Sequence, residues 1–563
     1  MTLALSAILA SFWLPSGTDF RLFAPELVLV ATIAAILIVP LFVGRRPYMA
    51  ALLAMVGALV ALLSTALVAP ELARGPVGAL TPPGTAPLLL GDSLGSFFKL
   101  FICLLLVLIA WLWVIGAVGT PAAGQTQTPA PRLRTGTPEF FVLLLTSAVG
   151  MLLMVSTLNL LVILVAIETA SLPSYALVAT DKRSRLGAEA ALKYVTFGAA
   201  SAAIMVYGMS LLYGRFSTLD LSVMAERLAT GGSGPDAVVW LGLIGLGAGI
   251  AFKIAAVPMH LWCPDVFEGA PVEVTTWLSI ASKAAGLGVL LRIMAVLTAT
   301  PALASAMIPL AWGVGIVAAV TCTVGNLAAL RQTSVKRILA YSSIAHAGYM
   351  MMAAAILVGL IPPDADTLYG LNPGVAAVIA YLFVYLAMNL GAFGATALVN
   401  WHAGTDHLSA FTGLGRRAPW LAVPLAVCLF ALVGLPPLGG FAAKWYLLLA
   451  LGRSAHEGQP LLWVLIGVAV INTAISLPYY VRIVRQMYLI DDPAQPRIAT
   501  PPGGLVLVNG CAVALLLLGT LLFSPLGRHA RNFAAGIYER APAMRMAEQT
   551  GPKALFKSHA RQH

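Results

Sequence analysis

The sequence has 563 residues, of which 60% are hydrophobic and only 10% are charged, and its mean hydropathy is +0.92. Soluble domains carry about 25% charged residues, so this composition excludes a water-covered surface and predicts a protein whose solvent is lipid. The net charge of +11 fits a basic cytoplasmic face under the positive-inside rule, and no basic stripe with interleaved aromatic residues indicates nucleic-acid binding.

Apolar runs bounded by charges or by Pro/Gly clusters predict about 14 transmembrane helices, each near the ~20 residues that a bilayer requires. The fourth and fifth runs are separated only by Ser156–Asn159, which favours two spans with a tight turn over one long helix. In chain order, the predicted spans are 22–43, 48–69, 96–118, 139–156, 158–179, 187–213, 237–263, 272–298, 303–330, 336–360, 373–399, 419–449, 461–490 and 504–524.

Loop charges predict the orientation of these spans. One set of alternate loops carries fifteen lysines and arginines, whereas the other set, together with the N-terminus, carries five. The first set is expected to face the cytoplasm, which places both termini outside. The basic tail, residues 525–563, conflicts with this assignment because it adds seven basic residues on the outer side.

Two of the predicted spans contain helix breakers. Pro258 should interrupt the seventh span near Val257, because proline removes a backbone donor and clashes with the preceding turn. The twelfth span holds the stronger breaker GLPPLGG, at residues 434–440. Breaks at membrane depth persist only where protein or water covers the free backbone groups, and each has a lysine nearby, Lys253 or Lys444.

The breaks lie five spans apart, so the two broken helices run in opposite directions, as in inverted repeats built around an ion site. The fold class is therefore an all-α membrane protein with two inverted five-helix repeats, each containing a broken helix. The predicted organisation is an N-terminal extension (1–21), helices 1–3 (22–118), a first antiporter-like repeat (139–298), a second repeat (303–490), helix 14 (504–524) and the basic tail (525–563).

A few ionisable residues interrupt the apolar spans, and such residues usually face the bundle interior or water. Lys253, Lys283 and Lys444 are the leading candidates, together with Glu168. Lys283 is too central to reach a membrane surface. Burial disfavours a charged lysine and an opposite charge favours it, so a row of such groups linked by water can pass protons.

Several other ionisable residues each have two possible roles. Lys193 either belongs to the ion path or extends to the cytoplasmic edge, and Lys336 is expected to extend in this way. His346 is either a relay or a core histidine bonded to a carbonyl, and His260 either serves the path or caps the broken backbone. The acidic residues after the first break are expected to be solvated at a helix end: Asp265, Glu268 and Glu273.

Redox and nucleotide sites are not indicated. The five cysteines have no metal-ligand spacing, so iron–sulfur ligation on this chain is not expected. No phosphate-binding loop, dinucleotide fingerprint or heme-attachment motif occurs.

Four segments resemble the antiporter-like membrane subunits of respiratory complex I, a NADH–quinone oxidoreductase. They read FKIAAVPMHLWCPDVFEGAP, SIASKAAGLGVLLRI, GNLAALRQTSVKRILAYSSIAHAGYM and GLPPLGGFAAKWYLL. The PDVFEGAP stretch is most similar to the N type. The larger L type continues into a long lateral helix, and the M type carries a glutamate at the position of Lys444. The resemblance covers residues 22 to 524.

The resemblance implies roles for individual residues. Glu168 would couple to the neighbouring subunit, and Lys253 would be its ion-pair partner. Lys283 would connect two half-channels, His346 would lie on a hydrated central axis, and Lys444 would be the distal proton donor. Lys193 matches the family's sixth-helix lysine, whose role is less defined.

The resemblance also implies the partners. NADH, FMN, iron–sulfur clusters and quinone would lie on other subunits, and this chain would bind none of them. The implied protein is a proton-translocating subunit in a bacterial inner membrane, beside other antiporter-like and small membrane subunits. The alternative is a Mrp-type sodium/proton antiporter subunit, which shares the fold and the lysines.

Overall fold

The structure is a computed structural model that describes residues 15–44, 48–73, 76–81, 86–118, 137–182, 184–231, 234–357, 360, 372–492, 498 and 500–535. Residues 1–14 of the predicted extension, residues 536–563 of the predicted tail, and several of the loop arginines used for orientation lie outside this part. Within it the chain is a helical bundle with one small antiparallel hairpin.

The first third of the chain begins with a short helix and ends with the second helix of the predicted first repeat. A capping box at Ser16 starts the first helix. Backbone hydrogen bonds tie the hairpin to the bundle: Leu90 N–H donates to Ser156 O at 2.6 Å. The elements are α1 (Gly17–Leu22), α2 (Ala24–Val43), α3 (Met49–Leu72), β1 (Val77–Ala79), β2 (Leu89–Gly91), α4 (Ser93–Val118), α5 (Thr137–Met154) and α6 (Leu160–Val178).

The middle of the chain contains the first break and a π-helical segment. The elements are α7 (Arg185–Phe216), α8 (Leu221–Thr230), α9 (Ala237–Ile254), α10 (Trp262–Gly269), α11 (Val272–Trp277), the π-helical segment Leu278–Ser282, α12 (Lys283–Leu297), α13 (Pro301–Ala306), α14 (Ile308–Ala329) and α15 (Val335–Ala354). The last part contains α16 (Pro373–Ala403), a 3₁₀ turn (Leu408–Phe411), α17 (Leu414–Arg417), α18 (Pro419–Val433), α19 (Gly439–His456), α20 (Leu461–Tyr488), α21 (Pro502–Gly519) and α22 (Phe523–Ala535).

Every predicted span has a helix or a broken helix at its place. Twelve helices of the described part are long and apolar enough to cross a membrane. The other two predicted spans correspond to α15 and to the pair α18–α19. Each of these helices is too short or too polar to be counted among the twelve. The tight turn between the fourth and fifth spans is confirmed, because α5 ends at Met154 and Asn159 caps the start of α6.

Close backbone contacts join α7 to α9. A Cβ on Gly208 would lie 2.7 Å from the Cα of Gly245, and one on Gly245 would lie 2.7 Å from the Cα of Gly208. Small residues of this kind let membrane helices approach closely. The contact fixes the helix that carries Lys193 against the helix that carries Lys253.

Both predicted breaks are present. The first lies between α9 and α10, where Ala255 has a positive φ of 63° and the Val257–Pro258 peptide is cis. Its free backbone is covered by protein, since Val257 N–H donates to Thr321 Oγ1 at 3.0 Å. The second lies between α18 and α19, where Gly434 has a φ of +90° and the Pro436–Pro437 peptide is cis.

The sequence did not predict α22, whose residues were assigned to the basic tail. The helix packs through Leu526, Ala530 and Ala534, which are buried, while Arg528 and His529 are exposed. It is anchored to the second broken helix, because Tyr446 Oη donates to Phe523 O at 2.7 Å.

Candidate functional site

Lys253 lies in the last turn of α9, just before the first break, and is 1% exposed. Its Nζ donates to Ser171 Oγ at 3.1 Å, and its carbonyl accepts a hydrogen bond from Ser282 Oγ at 3.0 Å. A cation in the last turn of a helix is favoured by the unpaired carbonyls there. The break therefore places Lys253 between α6, which its ammonium contacts, and the π-helical segment before Lys283, which its carbonyl contacts.

Glu168 lies on α6, on the edge of a face whose other side chains are exposed apolar residues. Leu161, Val165 and Leu172 on that face are 54%, 53% and 61% exposed, at the spacing of one helix stripe. The direct ion pair expected with Lys253 is absent, since no contact within 4 Å joins them among the described residues. Lys253 instead contacts Ser171, three residues further along the same helix.

Lys283 is the most isolated of the buried cations. It is 1% exposed, and within the described part of the chain its Nζ has no hydrogen-bond partner. The Nζ lies 5.1 Å from the centre of the Phe267 ring, which gives a cation–π contact. Lys283 follows directly on the π-helical segment Leu278–Ser282, a type of irregularity that is frequent at functional sites.

His346 lies on α15, and both ring nitrogens face hydroxyl groups. Nδ1 is 2.7 Å from Tyr381 Oη, and Nε2 is 3.5 Å from Tyr480 Oη. The alternative hypothesis for His346, a core histidine bonded to a backbone carbonyl, does not match these hydroxyl partners. Because a neutral imidazole donates from one nitrogen and accepts at the other, and a hydroxyl does both, this arrangement can pass a proton.

Lys444 reaches back across the second break. Its Nζ donates to Val433 O at 2.8 Å, which is the end of α18, and to Thr473 Oγ1 at 3.3 Å on α20. The Nζ also lies 4.6 Å from the centre of the Tyr349 ring. A Cβ on Gly434 would come within 2.9 Å of the Lys444 side chain, so the glycine leaves the space that this reach requires.

Aromatic contacts join these sites. The His346 ring lies 5.5 Å from the Tyr385 ring and 5.9 Å from the Tyr349 ring. Tyr385 Oη donates to Ser279 O at 3.3 Å, in the π-helical segment before Lys283. The Tyr349 ring is the one that the Lys444 ammonium contacts. We call Lys253, Lys283 and Lys444 the lysine row, with His346 between its last two members.

Lys193 is not in the lysine row. It is 41% exposed and forms ion pairs with Glu189 at 2.7 Å and with Asp265 at 2.8 Å. Asp265 also accepts from Arg337, which bonds Glu268 as well, at 2.8 and 2.7 Å. The expectation that Asp265 and Glu268 are simply solvated is therefore wrong, because both are held in a half-exposed ion network that joins α7, α10 and α15.

Two further residues near the first break, Lys336 and Glu273, are also more buried than expected, and His260 lies in the same region. Lys336 is 6% exposed and donates to Ala270 O at 2.9 Å, so its ammonium binds protein and does not extend into water as expected. Glu273 is 0% exposed, which excludes the expected solvation. His260 is 9% exposed and lies within the break, and its Nδ1 meets no partner in the described part of the chain.

Sequence reasoning missed a second set of buried charges. Arg292 donates two hydrogen bonds to Asp92, at 2.5 and 2.8 Å, and a third to Val155 O at 2.6 Å. Lys99 pairs with Glu26 at 2.7 Å. We call these four charged residues the clamp. Asp92 also caps α4, since Gly95 N–H donates to its Oδ1 at 2.8 Å, and that position just before an apolar run was the signal in the sequence.

The clamp joins separate parts of the bundle. Arg292 stands near the end of α12, whereas Asp92 precedes α4 and Val155 follows α5. Lys99 on α4 likewise binds Glu26 on α2. The clamp thus ties helices 1–3 to the first predicted repeat, at the opposite end of α12 from Lys283.

Metal chemistry finds no support in the described part of the chain, where no group of three or more potential ligands comes together. All five cysteines are buried and free. The arrangement suits proton transfer, since the ammonium groups of the lysine row touch hydroxyls, carbonyls and rings, and no carboxylate among the described residues lies within 4 Å of them.

Known proteins resemble this chain along most of its length. Residues 157–476 match the family described as NADH:quinone oxidoreductase/Mrp antiporter, TM. The chain is 39% identical over 511 residues to NADH-quinone oxidoreductase subunit N 2 of Sorangium cellulosum (strain So ce56), covering 88% of this chain and 94% of that protein.

Two solved structures share the fold. A chain of respiratory complex I from Thermus thermophilus with bound aureothin is 31% identical, with a TM-score of 0.68 over 89% of this chain and 98% of its own. A chain of the Mrp complex from Dietzia sp. DQ12-45-1b has a TM-score of 0.73 over 92% of this chain and 99% of its own, but only 20% identity. The second similarity concerns the fold alone.

Proposed function

We propose a function from the premise that this chain belongs to the NADH:quinone oxidoreductase/Mrp antiporter membrane family, and within it to the subunit N group. It is a proton-translocating membrane subunit of NADH–quinone oxidoreductase, an enzyme of the translocase class EC 7.1.1. Electron transfer from NADH to quinone takes place on other subunits, and buried lysine, glutamate and histidine side chains of this chain move protons.

One observation carries this proposal. Three lysines are nearly fully buried, yet the described residues place no carboxylate within 4 Å of any of them. Replacing such lysines with leucine would stabilise a membrane scaffold, because an uncompensated buried charge is costly. Their presence beside two broken helices therefore supports ion movement.

The proposed path follows the contacts of the lysine row. A change of charge at Glu168, on the face available to a neighbouring subunit, alternately holds and releases the proton of Lys253. The released proton moves to Lys283, whose helix contacts Lys253 through Ser282. It then passes by His346 to Lys444 and leaves on the outer side. Lys193 and His260 are secondary members, at the entrance and at the first break.

The two breaks support the finer architecture that we propose. It comprises fourteen spans, with inverted repeats at 139–298 and 303–490, preceded by helices 1–3 and followed by helix 14. Each proposed repeat has one broken helix with a buried lysine near the break. The breaks fall five spans apart, which requires opposite helix directions.

The proposed assembly follows from the relatives. We place NADH, FMN, iron–sulfur clusters and quinone on other subunits, and none of them on this chain. Its neighbours are other antiporter-like and small membrane subunits in a bacterial inner membrane, with the Glu168 face as one contact. Residues 15–21 continue into the first helix, and the basic residues after Phe523 begin a surface helix.

The test of the proposed function is Lys253→Ala in membrane vesicles assayed for NADH-driven acidification. We expect assembled complex with proton pumping reduced about tenfold or more, as for loss of a proton-transfer group. Lys182→Ala, which removes an exposed loop lysine, is the matched control and should pump normally. Normal pumping by a fully assembled Lys253→Ala complex would contradict the assignment, whereas failed assembly would favour a structural role for Lys253.

A Mrp-type antiporter subunit remains the second candidate because the fold is shared. The higher identity to subunit N proteins favours the first candidate. Acidification that requires NADH and an oxidoreductase complex supports the first, whereas sodium-driven proton exchange by the chain without that complex would support the second.

A further inference from the structure

Two buried polar side chains at the centre of the molecule lack hydrogen-bond partners of good geometry within the described residues. One is the ammonium of Lys283, and the other is the amide of Asn389, which is 0% exposed and whose oxygen and nitrogen both lack a hydrogen bond of good geometry in that part of the chain. Buried polar groups in proteins nearly always have a partner, either protein or ordered water. Ordered water is therefore the expected partner of both side chains.

The helix geometry places Asn389 between two contacts to the surroundings of Lys283. Asn389 lies on α16 four residues after Tyr385 and four before Phe393, so the three side chains share one face. Tyr385 Oη donates to Ser279 O at 3.3 Å, one turn before Lys283. The Phe393 ring lies 6.1 Å from the Phe267 ring, over which the Lys283 ammonium sits at 5.1 Å. Contacts to the surroundings of Lys283 thus bracket Asn389 on both sides.

The two groups are chemically complementary. An ammonium has three donors and requires acceptors, whereas an amide offers an acceptor oxygen and two donors. The Tyr385 hydroxyl interacts with Asn389 and is a third polar group in the same place. A water molecule held by two to four polar partners is stable in a protein interior, and these three side chains provide such partners.

We propose that Asn389 is a positioning residue for proton transfer, whose amide holds ordered water against Lys283 and directs it toward His346. The inference rests on the proposed proton-translocating function. The direction follows from Tyr385, whose ring lies 5.5 Å from the His346 ring. A proton leaving Lys283 enters this water and reaches the histidine, and the amide itself is neither protonated nor deprotonated.

Three substitutions separate this role from packing. Asn389→Leu keeps the approximate volume and removes both polar groups. Asn389→Asp keeps the shape but supplies a carboxylate, which pairs with Lys283 and retains its proton. Asn389→Ser keeps a hydroxyl and leaves room for water. The control is Thr396→Val on the same helix, since Thr396 is buried and its hydroxyl bonds only Ala392 O, at 2.8 Å, in the described structure.

The assay uses the assembled complex in membrane vesicles and measures protons translocated per NADH oxidised, beside Lys283→Ala. We expect Asn389→Leu and Asn389→Asp to lower that ratio about tenfold, Asn389→Ser to keep at least half of it, and Thr396→Val to leave it unchanged. Full pumping by Asn389→Leu or Asn389→Asp, or equal loss in Asn389→Ser and Asn389→Leu, overturns the role of Asn389.

The two proposals fail in different ways. Normal pumping by Lys283→Ala overturns the proposed function itself, whereas loss in Lys283→Ala with full pumping by Asn389→Leu overturns only the role of Asn389. If Asn389→Leu does not assemble, a high-resolution experimental map of the unmodified complex tests the role of Asn389 instead. Water density between Asn389 and Lys283 supports the inference, and an interface of these side chains without water overturns it.

Discussion

The clamp and the lysine row are both buried in the same bundle, yet they treat charge differently. In the clamp every cation meets a carboxylate, with Arg292 on Asp92 at 2.5 Å and Lys99 on Glu26 at 2.7 Å. In the lysine row each ammonium meets only neutral groups within the part of the chain that the structure describes, such as Ser171 Oγ for Lys253 and Val433 O for Lys444.

The difference indicates two uses of buried charge. A cation that is paired in a forked geometry is fixed in place and remains charged. A lysine that touches no carboxylate is not fixed in this way, so its proton is available for transfer when a nearby charge, such as that of Glu168, changes. We therefore expect substitutions in the clamp to affect stability and substitutions in the lysine row to affect pumping.

The largest expected effect belongs to Arg292→Met. Removing one member of a buried pair leaves Asp92 as an unpaired buried charge, which costs about 3–5 kcal/mol. Thermal inactivation of the purified complex should therefore occur at a markedly lower temperature. The control is Arg215→Met, which breaks the half-exposed pair with Asp236 and should unfold like the unmodified protein. Unchanged stability of Arg292→Met would remove the distinction between the two regions.

Lys444→Met tests the opposite region. We expect NADH-driven pumping to fall about tenfold or more, because the distal proton carrier is gone. The free energy of unfolding should drop by no more than about 2 kcal/mol, the upper value for a cation at a helix C-terminus. Vesicle acidification and thermal inactivation, measured on the same preparation, check both parts. A large loss of stability with normal pumping would reverse the comparison.

A smaller effect is expected from Thr473→Val, which removes the hydroxyl that accepts from Lys444 but keeps the shape. Pumping should fall about threefold, the size expected for one lost hydrogen bond of roughly 0.6 kcal/mol. Thr473→Ser retains the hydroxyl and should pump like the unmodified protein. Equal losses in the two variants would show that the loss is not specific to the hydroxyl and would contradict the prediction.

The smallest effect is expected when both members of a clamp pair are replaced. Lys99→Met combined with Glu26→Leu exchanges an ion pair for apolar side chains, which is often neutral or stabilising. Lys99→Met alone should destabilise clearly, because Glu26 is then left without its cation. Thermal inactivation of the two singles and the double gives the coupling energy. An additive result would show that the pair does not act as a unit.

The sequence predicts the helices and breaks well because those signals are local. Apolar runs, Pro258 and the GLPPLGG segment each act within a few residues, and the structure has helices or breaks at all these places. The depth of Lys253, Lys283 and Lys444 followed from their position within the runs. The family followed from short motifs, and the comparisons support the same family.

The side-chain partners could not be predicted, because they depend on distant parts of the chain. Asp92 and Arg292 are 200 residues apart in sequence, and nothing near either one indicates the other. Lys336 and Glu273 were misread because a position near a helix end does not reveal whether another segment covers it. The orphaned amide of Asn389 is likewise visible only when α16 is placed beside the π-helical segment.

The half-exposed network of Lys193, Asp265, Arg337 and Glu268 has a consequence for ionic strength. Salt screens charges that water can reach, with a Debye length of about 8 Å at physiological concentrations, and these side chains are 25% to 41% exposed. The Arg292–Asp92 pair is only 5% and 6% exposed and is far less subject to screening. Added salt should therefore loosen the junction of α7, α10 and α15 while leaving the far end of α12 tight, so that the two ends of this part of the bundle respond differently to the medium.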